Sequence, residues 1–308
     1  MPLSEVRTSE RLDAGWVCRR YEEIRPRLTE AAFPARSRRI GNLGDLIDEI
    51  DVFVLDGYGV LNVGKRRVPG APERVAQMRA AGKRVFVLTN GASHPVAHSV
   101  ERYRGLGFDF SVEEIVSSRD ALGRALVSRQ ALRWGFAAIE VSVIGDLAAN
   151  NLLLRDDPAD YDAVDGFVLL GTGAWGRARQ DLLLASLRTR PRPVLVGNPD
   201  LVSPREDGLA AEPGLYAHEI ADLTGCVPEF YGKPFANAFE LVRERIGAGV
   251  PPHRIAMVGD TLHTDILGGA AMGWRTVLVM DHGLLKGFAP KMLDKLSNIR
   301  PDFIADST

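Results

Sequence analysis

Short apolar runs recur along the chain, and each ends in a polar, glycine-containing turn. Val52-Phe53-Val54-Leu55 leads into Asp56-Gly57-Tyr58-Gly59, and Arg84-Val85-Phe86-Val87-Leu88 leads into Thr89-Asn90-Gly91. Arg254-Ile255-Ala256-Met257-Val258 leads into Gly259-Asp260, and Arg275-Thr276-Val277-Leu278-Val279 follows. Continuous rather than alternating apolar runs predict strands buried on both faces. Pro72 to Ala81 predicts a helix closed by Gly82. Strands alternating with helices give an α/β fold with a parallel sheet. The first fifty residues read as a helical preamble. Tyr21-Glu22-Glu23-Ile24 and Leu43-Gly44-Asp45-Leu46-Ile47 carry helical spacing, broken by Pro26 and Pro34.

The middle of the chain has a different texture. Strand-like runs lie at Glu140 to Ile144, Gly166 to Leu170 and Val194-Leu195-Val196. Long polar loops, Arg155 to Asp165 and Ser203 to Pro213, are expected between them. The pattern predicts a second α/β domain inserted into the first. The expected division is an N-terminal extension over 1–45, a core over 46–124 and 228–308, and an inserted domain over 125–227. A chain of 308 residues is long enough for two domains.

Composition narrows the function classes. Thirty-eight basic residues face forty acidic ones, a net charge of −2. That balance gives no field to draw the chain to nucleic acid or an anionic membrane. Cys18 and Cys226 are too few for a disulfide framework and lack zinc-site spacing. They read as free thiols in a reducing compartment. No apolar run matches a membrane span, and Met1 to Arg20 lacks a signal-peptide pattern. The expectation is a soluble, cytoplasmic protein.

The turns after the strands carry the chemistry, because ligands of open α/β sheets bind beyond the carboxyl ends of the strands. Asp56 is a carboxylate that can attack phosphorus. Thr89 offers a hydroxyl, and the amides of Asn90 and Gly91 are expected to open a helix and seat an anion. Lys233, in Gly232-Lys233-Pro234 at the start of another helix, offers a positive charge. Asp260 and Asp265, in Gly259-Asp260-Thr261-Leu262-His263-Thr264-Asp265, add hard oxygen. With Asp56 and a backbone carbonyl they suit Mg²⁺. Each element alone reads as an ordinary turn or cap. Four in this order, each in its strand or helix context, point to phosphoryl transfer.

At these residues the chain resembles the haloacid dehalogenase (HAD) superfamily of hydrolases, from about Asp51 to about Gly283. Little sequence separates Asp56 from Thr89, and a long insert separates Thr89 from Lys233. That arrangement is similar to class IIA, the NagD-like phosphatases with a C2-type cap. Val68-Pro69-Gly70-Ala71 and Asn198-Pro199-Asp200 with Pro204 also match that pattern. The resemblance implies a Rossmann-like HAD core plus an α/β cap, and Mg²⁺-dependent hydrolysis of a small phosphorylated metabolite, such as a sugar phosphate, through an aspartyl-phosphate. It implies Asp56 as nucleophile, with Asp56, the Tyr58 carbonyl and Asp260 on the metal and Asp265 orienting its water shell. It implies Thr89, Asn90, Gly91 and Lys233 on the phosphate, and Asn198 and Asp200 choosing the leaving group. Class IIA chains often pair through the cap, which admits a homodimer.

One position departs from the family. HAD phosphatases usually carry a second Asp two residues after the nucleophile, as general acid and base. Here that residue is Tyr58, and a phenol of ordinary pKa ~10 is a poor base at neutral pH. Loss of such help costs about 10²–10⁴-fold in rate. His263 and His94 are the nearest titratable substitutes, each also readable as a solvated loop histidine. Asp56-Gly57-Tyr58-Gly59-Val60-Leu61 looks like the first motif of the L-2-haloacid dehalogenases. Those enzymes, however, carry the cap between the first two motifs and need no metal-binding acidic pair. An aromatic residue here resembles an uncharacterised bacterial subgroup of class IIA. Two alternatives remain at this stage: a dehalogenase-like hydrolase, or a catalytically weak member acting by ligand or partner binding. Trp134, Trp175 and Trp274 are expected to pack, Arg188 to Arg192 to form a solvated turn, and His218 to face the cap surface.

Overall fold

The computed structural model describes residues 12–140 and 143–308. Its larger sheet has seven parallel strands. They are β1 (Arg38–Ile40), β2 (Val52–Leu55), β3 (Arg84–Thr89), β4 (Ile115–Ser117), β5 (Ile255–Gly259), β6 (Arg275–Val279) and β7 (Phe303–Ala305). The order across the sheet is β1-β7-β6-β5-β2-β3-β4. The apolar runs form strands because both faces are covered. Along β2, Val52 and Val54 pack with Phe86, Leu88, Phe239 and Trp274 on one side. Phe53 and Leu55 pack with Val85, Val87, Tyr103 and Phe110 on the other. Register pairs Leu55 with Val258 on β5 and with Val87 on β3, so three strands reach the same edge.

The helices of this layer are α1 (Ala14–Glu23), α2 (Ala71–Ala80), α3 (Val96–Gly105), α4 (Ser118–Leu126) and α5 (Ala236–Ile246). Asp13 caps α1 by accepting from the Trp16 amide at 2.8 Å. At α4, Asp120 accepts from the Ser117 amide, and Ser117 accepts from the Asp120 amide, a reciprocal capping box. The helix expected after Thr89-Asn90-Gly91 starts later, at Val96. Gly91 instead turns back, its amide donating to Thr89 Oγ1 at 3.1 Å. The preamble is helical only in part. Leu43–Leu46 makes a single tight turn, and Arg38–Ile40 adds an edge strand by pairing with β7.

A second sheet has five parallel strands, in the order Glu229–Phe230, Val194–Val196, Gly166–Leu169, Trp134–Ala137, Asn151–Leu153. Helices Arg177–Thr189 and Pro213–Thr224 bury its apolar side chains. The strand expected at Glu140 to Ile144 is displaced. Residues 141 and 142 lie outside the described residues, Ile144 is in a turn, and the strand is Trp134–Ala137. Gly135 weakens that signal in the sequence. It is present because a Cβ there would meet Leu154 at 2.9 Å. The expected polar loop at Ser203 to Pro213 is a β-hairpin, Val202–Arg205 with Gly208–Ala211. The one at Arg155 to Asp165 contains a short helix, Pro158–Asp162.

One apolar cluster runs through both sheets. It joins Val54 and Phe86 of the larger sheet to Leu122 of α4, then to Trp134, Val168 and Leu195 of the smaller sheet. Trp134, Trp175 and Trp274 are buried, as their composition suggests. Two expectations fail here. Arg192 is not solvated: its guanidinium lies over the Phe167 ring and donates to the Tyr161 and Val164 carbonyls. His218 does not face the cap surface: it is 1% exposed and stacks on Phe230.

Candidate active site

Four carboxyl-end turns converge. Asp56 continues β2, with its amide donating to the Val258 carbonyl at 2.8 Å. Its Oδ1 accepts from the Gly57 amide at 2.7 Å and lies 2.6 Å from Lys233 Nζ. Lys233 Nζ also lies 2.7 Å from Asp265 Oδ1. Asp260 Oδ2 accepts from the Leu284 amide, and Asp260 Oδ1 accepts from the Thr261 hydroxyl. One oxygen from each of Asp56, Asp260 and Asp265 fits within a 4.8 Å span.

Local backbone makes this crowding feasible. Leu262–Ile266 forms one wide π-type turn, a geometry concentrated at functional sites. It folds Asp265 back beneath β5, where a Cβ on Gly259 would overlap the Asp265 carboxyl. Gly59 has φ +77°, and a Cβ there would lie 2.3 Å from Asp260 Oδ2. Only a glycine allows the loop after Asp56 to pass over Asp260.

The electrostatics follow from the composition of the cluster. Burial raises the pKa of Asp56 most, with Lys233 opposing and Asp265 and Asp260 adding to the rise. Burial likewise raises Asp260, with the Asp265 charge reinforcing it. Burial disfavours the Lys233 ammonium, but Asp265 and Asp56 more than offset it and hold it charged. Full ionisation of the three carboxylates around one ammonium would leave two negative charges uncompensated, which adds to burial in raising the Asp56 and Asp260 pKa values. A divalent cation supplies the compensating charge, and an all-oxygen donor set is what a hard cation requires. The residues present therefore fit such an ion.

Asp56 opens into a cavity of about 480 Å³ between the two sheets' loops. Thr89, Asn90, Gly91, Asn198, Asp200 and Tyr58 all reach its wall, so the residues expected at the site do come together. Their roles differ in detail. The Asn90 side chain accepts from the Lys233 amide at 2.7 Å and donates to Asp200 Oδ1 at 2.8 Å. It therefore fixes both the lysine loop and the cap. Asn198 donates to Glu212 and accepts from the Asp200 amide, so both amide atoms are engaged within the cap. Burial pushes Asp200 up to about 8, against the pull of Lys233.

Of the two histidines, only His263 is excluded from the cavity. His263 is 1% exposed, stacks on Tyr21 at 4.7 Å, and its Nε2 lies 2.6 Å from Glu22 Oε1. It anchors α1 rather than facing the cavity. His94 does reach the cavity wall, stacked on His98 at 4.1 Å. The sequence reading missed Arg102 of α3 and Arg205 of the 202–205 strand. Each donates to the Tyr58 hydroxyl at 3.1 Å, from opposite sides of the cavity. No sequence signal separates Arg102 from the other basic residues, since 38 Lys and Arg share the chain.

A doubly covered parallel sheet with Asp, Thr, Lys and paired Asp at its carboxyl edge defines a class, and family models agree. The description "Haloacid dehalogenase-like hydrolase" matches residues 53–150, and a second HAD-hydrolase-like model matches 230–308. The chain belongs to the HAD-like hydrolases. It is 30% identical over 300 residues to the glycerol-3-phosphate phosphatase of Homo sapiens, covering 85% of this chain and 90% of that protein. Among solved structures, a HAD-superfamily protein of Cytophaga hutchinsonii has a TM-score of 0.76 at 24% identity, covering 88% of this chain and 98% of its own. The 4-nitrophenylphosphatase of Thermotoga maritima has a TM-score of 0.68 at 24% identity, covering 85% and 96%. No helix among the described residues is long and apolar enough to cross a membrane.

Proposed function

We propose that the protein is a Mg²⁺-dependent phosphatase of a small phosphorylated metabolite. The observation that carries this is the cluster of Asp56, Asp260 and Asp265 around Lys233 at the floor of the cavity. Asp56 Oδ1 is held by Lys233 and the Gly57 amide, which leaves Oδ2 to attack phosphorus. The Oδ2–P bond forms as the bond from phosphorus to the leaving oxygen breaks, and that oxygen takes a proton. Water then cleaves the aspartyl-phosphate, restoring Asp56 and releasing phosphate. Asp56, Asp260 and the Tyr58 carbonyl would hold Mg²⁺, with Asp265 behind them. The ion supplies charge neutralisation of the transferring phosphoryl group. Thr89 and the turn at Asn90 and Gly91 receive the phosphoryl oxygens. The Tyr58 hydroxyl accepts from Arg102 and Arg205, so its own hydrogen remains to donate to the leaving oxygen.

Excess negative charge on the floor argues against metal-free displacement at the carbon of a haloacid, whose carboxylate it would repel. The same reading places the chain in class IIA, with a C2-type cap of about residues 125–227 and an aromatic variant of the first motif. The homodimer and the cytosolic setting go with that class, and the unpaired Cys18 and Cys226 suit a reducing compartment. The likeness to a glycerol-3-phosphate phosphatase supports a small ester as substrate.

Phosphate release from a panel of phosphorylated metabolites, with Mg²⁺ or EDTA, tests the reading. Mg²⁺-dependent release is expected, with Asp56→Asn reducing it at least about 10³-fold. Release that survives in Asp56→Asn, or none from any ester, overturns it.

A further inference from the structure

Arg102 and Arg205 present an unusual charge arrangement. Both donate to one neutral oxygen, the Tyr58 hydroxyl, and their guanidiniums flank its ring at 5.2 and 5.1 Å from the centroid. Arg205 is balanced by Glu212, whose Oε1 lies 3.1 Å from its Nη2. Glu212 is held in turn by Asn198 and Ser203. Arg102 forms no ion pair with a carboxylate among the described residues, although it is partly buried at the cavity wall. Its neighbours there are phenols, Tyr58 and Tyr103. Two guanidiniums on one phenol, with the one carboxylate, Glu212, paired to Arg205, leave the Arg102 charge directed at the cavity. Guanidinium is the group that best recognises carboxylate or phosphate in a forked geometry.

We propose that Arg102 and Arg205 form a second anion subsite, and that the substrate is a phosphomonoester whose leaving group carries another anionic group. This rests on the phosphatase reading for its chemistry and goes beyond it in naming the substrate class. The scissile phosphoryl group sits over Asp56 on the negative, cation-binding floor. The second anion sits above it on the guanidinium pair. Tyr58 lies between them, two residues after Asp56. The two ends of the cavity thus have opposite polarity, and a doubly anionic substrate enters in one orientation only.

The test compares glycerol 3-phosphate with 3-phosphoglycerate, which differ at the far end by a carboxylate. In the wild type, kcat/KM is expected to favour the acid. Arg102→Gln lowers that acid-to-neutral ratio about ten- to a hundredfold through KM, the loss of a charge-assisted hydrogen bond. Arg102→Lys keeps most of it. A wild-type ratio near unity, or one unchanged in Arg102→Gln, overturns the subsite. Binding gives a readout independent of turnover. In Asp56→Asn with Mg²⁺, phosphoglycolate should raise the melting temperature more than ethyl phosphate does, and adding Arg102→Gln should remove the difference. If no ester is hydrolysed but this difference is found, the phosphatase reading fails and the subsite stands. If esters are hydrolysed without it, the reverse holds.

Discussion

A phenol two residues beyond Asp56, the proposed nucleophile, changes what one side chain can do for the reaction. A carboxylic acid there could give a proton and later take one from water. Tyr58 is held by Arg102 and Arg205 as an acceptor, so its proton is free to be given first, and the phenolate left behind takes one back from the attacking water. Its contribution should therefore depend on how badly the leaving oxygen needs a proton. Tyr58→Phe is expected to slow alkyl phosphates about tenfold more than 4-nitrophenyl phosphate, read as kcat for the two esters. Equal losses would mean that the hydroxyl only positions the arginines. At this scale much of the site was legible. Asp56, Thr89, Lys233, Asp260 and Asp265 each follow a strand or open a helix, and their spacing marks them. Arg102 and Arg205 carry no such mark, because their meaning comes from meeting across the cavity.

Among the elements, α1 is the one whose docking was least expected. Its residues touch both layers. Tyr21 stacks on His263 of the π-type turn and accepts from the Leu201 amide, next to Asp200. Arg20, and Arg27 in the turn just after α1, both pair with Asp222 of the Pro213–Thr224 helix. Arg27 also donates to the carbonyl of His218 on that helix. His218 itself is stacked against Phe230, and its Nδ1 has no hydrogen-bond partner among the described residues. Burial, aided by Arg27 and Arg20 and opposed by Asp222, pushes its pKa from 6.5 down to about 3. The folded chain thus refuses a proton that the unfolded chain accepts below pH 6.5. Stability falls as pH drops through that window. His218→Phe should lose less stability on acidification. The gap should widen by up to about 1.4 kcal/mol per pH unit below 6.5, measured by urea unfolding at several pH values. Parallel curves for the two proteins would refute this. The preamble was readable as helical near Tyr21, but its docking was not, since tertiary contacts leave no local periodicity.

For the whole molecule, the proposed ion at the carboxylate cluster would be coupled to folding. A cation that binds only the folded chain stabilises it by mass action. Saturating Mg²⁺ should raise the melting temperature by about 5 °C, and Asp260→Asn should remove most of the rise. An equal rise in the variant would show that Mg²⁺ acts elsewhere. The α/β fold and the inserted second sheet were legible from the buried apolar runs. The Trp134–Ala137 strand and the Val202–Arg205 hairpin were not. Gly135 interrupts the first, and polar residues at the cavity rim mask the second as a loop.

The apolar cluster that joins the two sheets carries one more implication. A roof that shares its packing with the floor, and is tied by α1 as well, cannot swing aside without exposing that packing to water. Opening the cavity by moving the roof as a rigid body therefore carries the cost of unpacking that cluster.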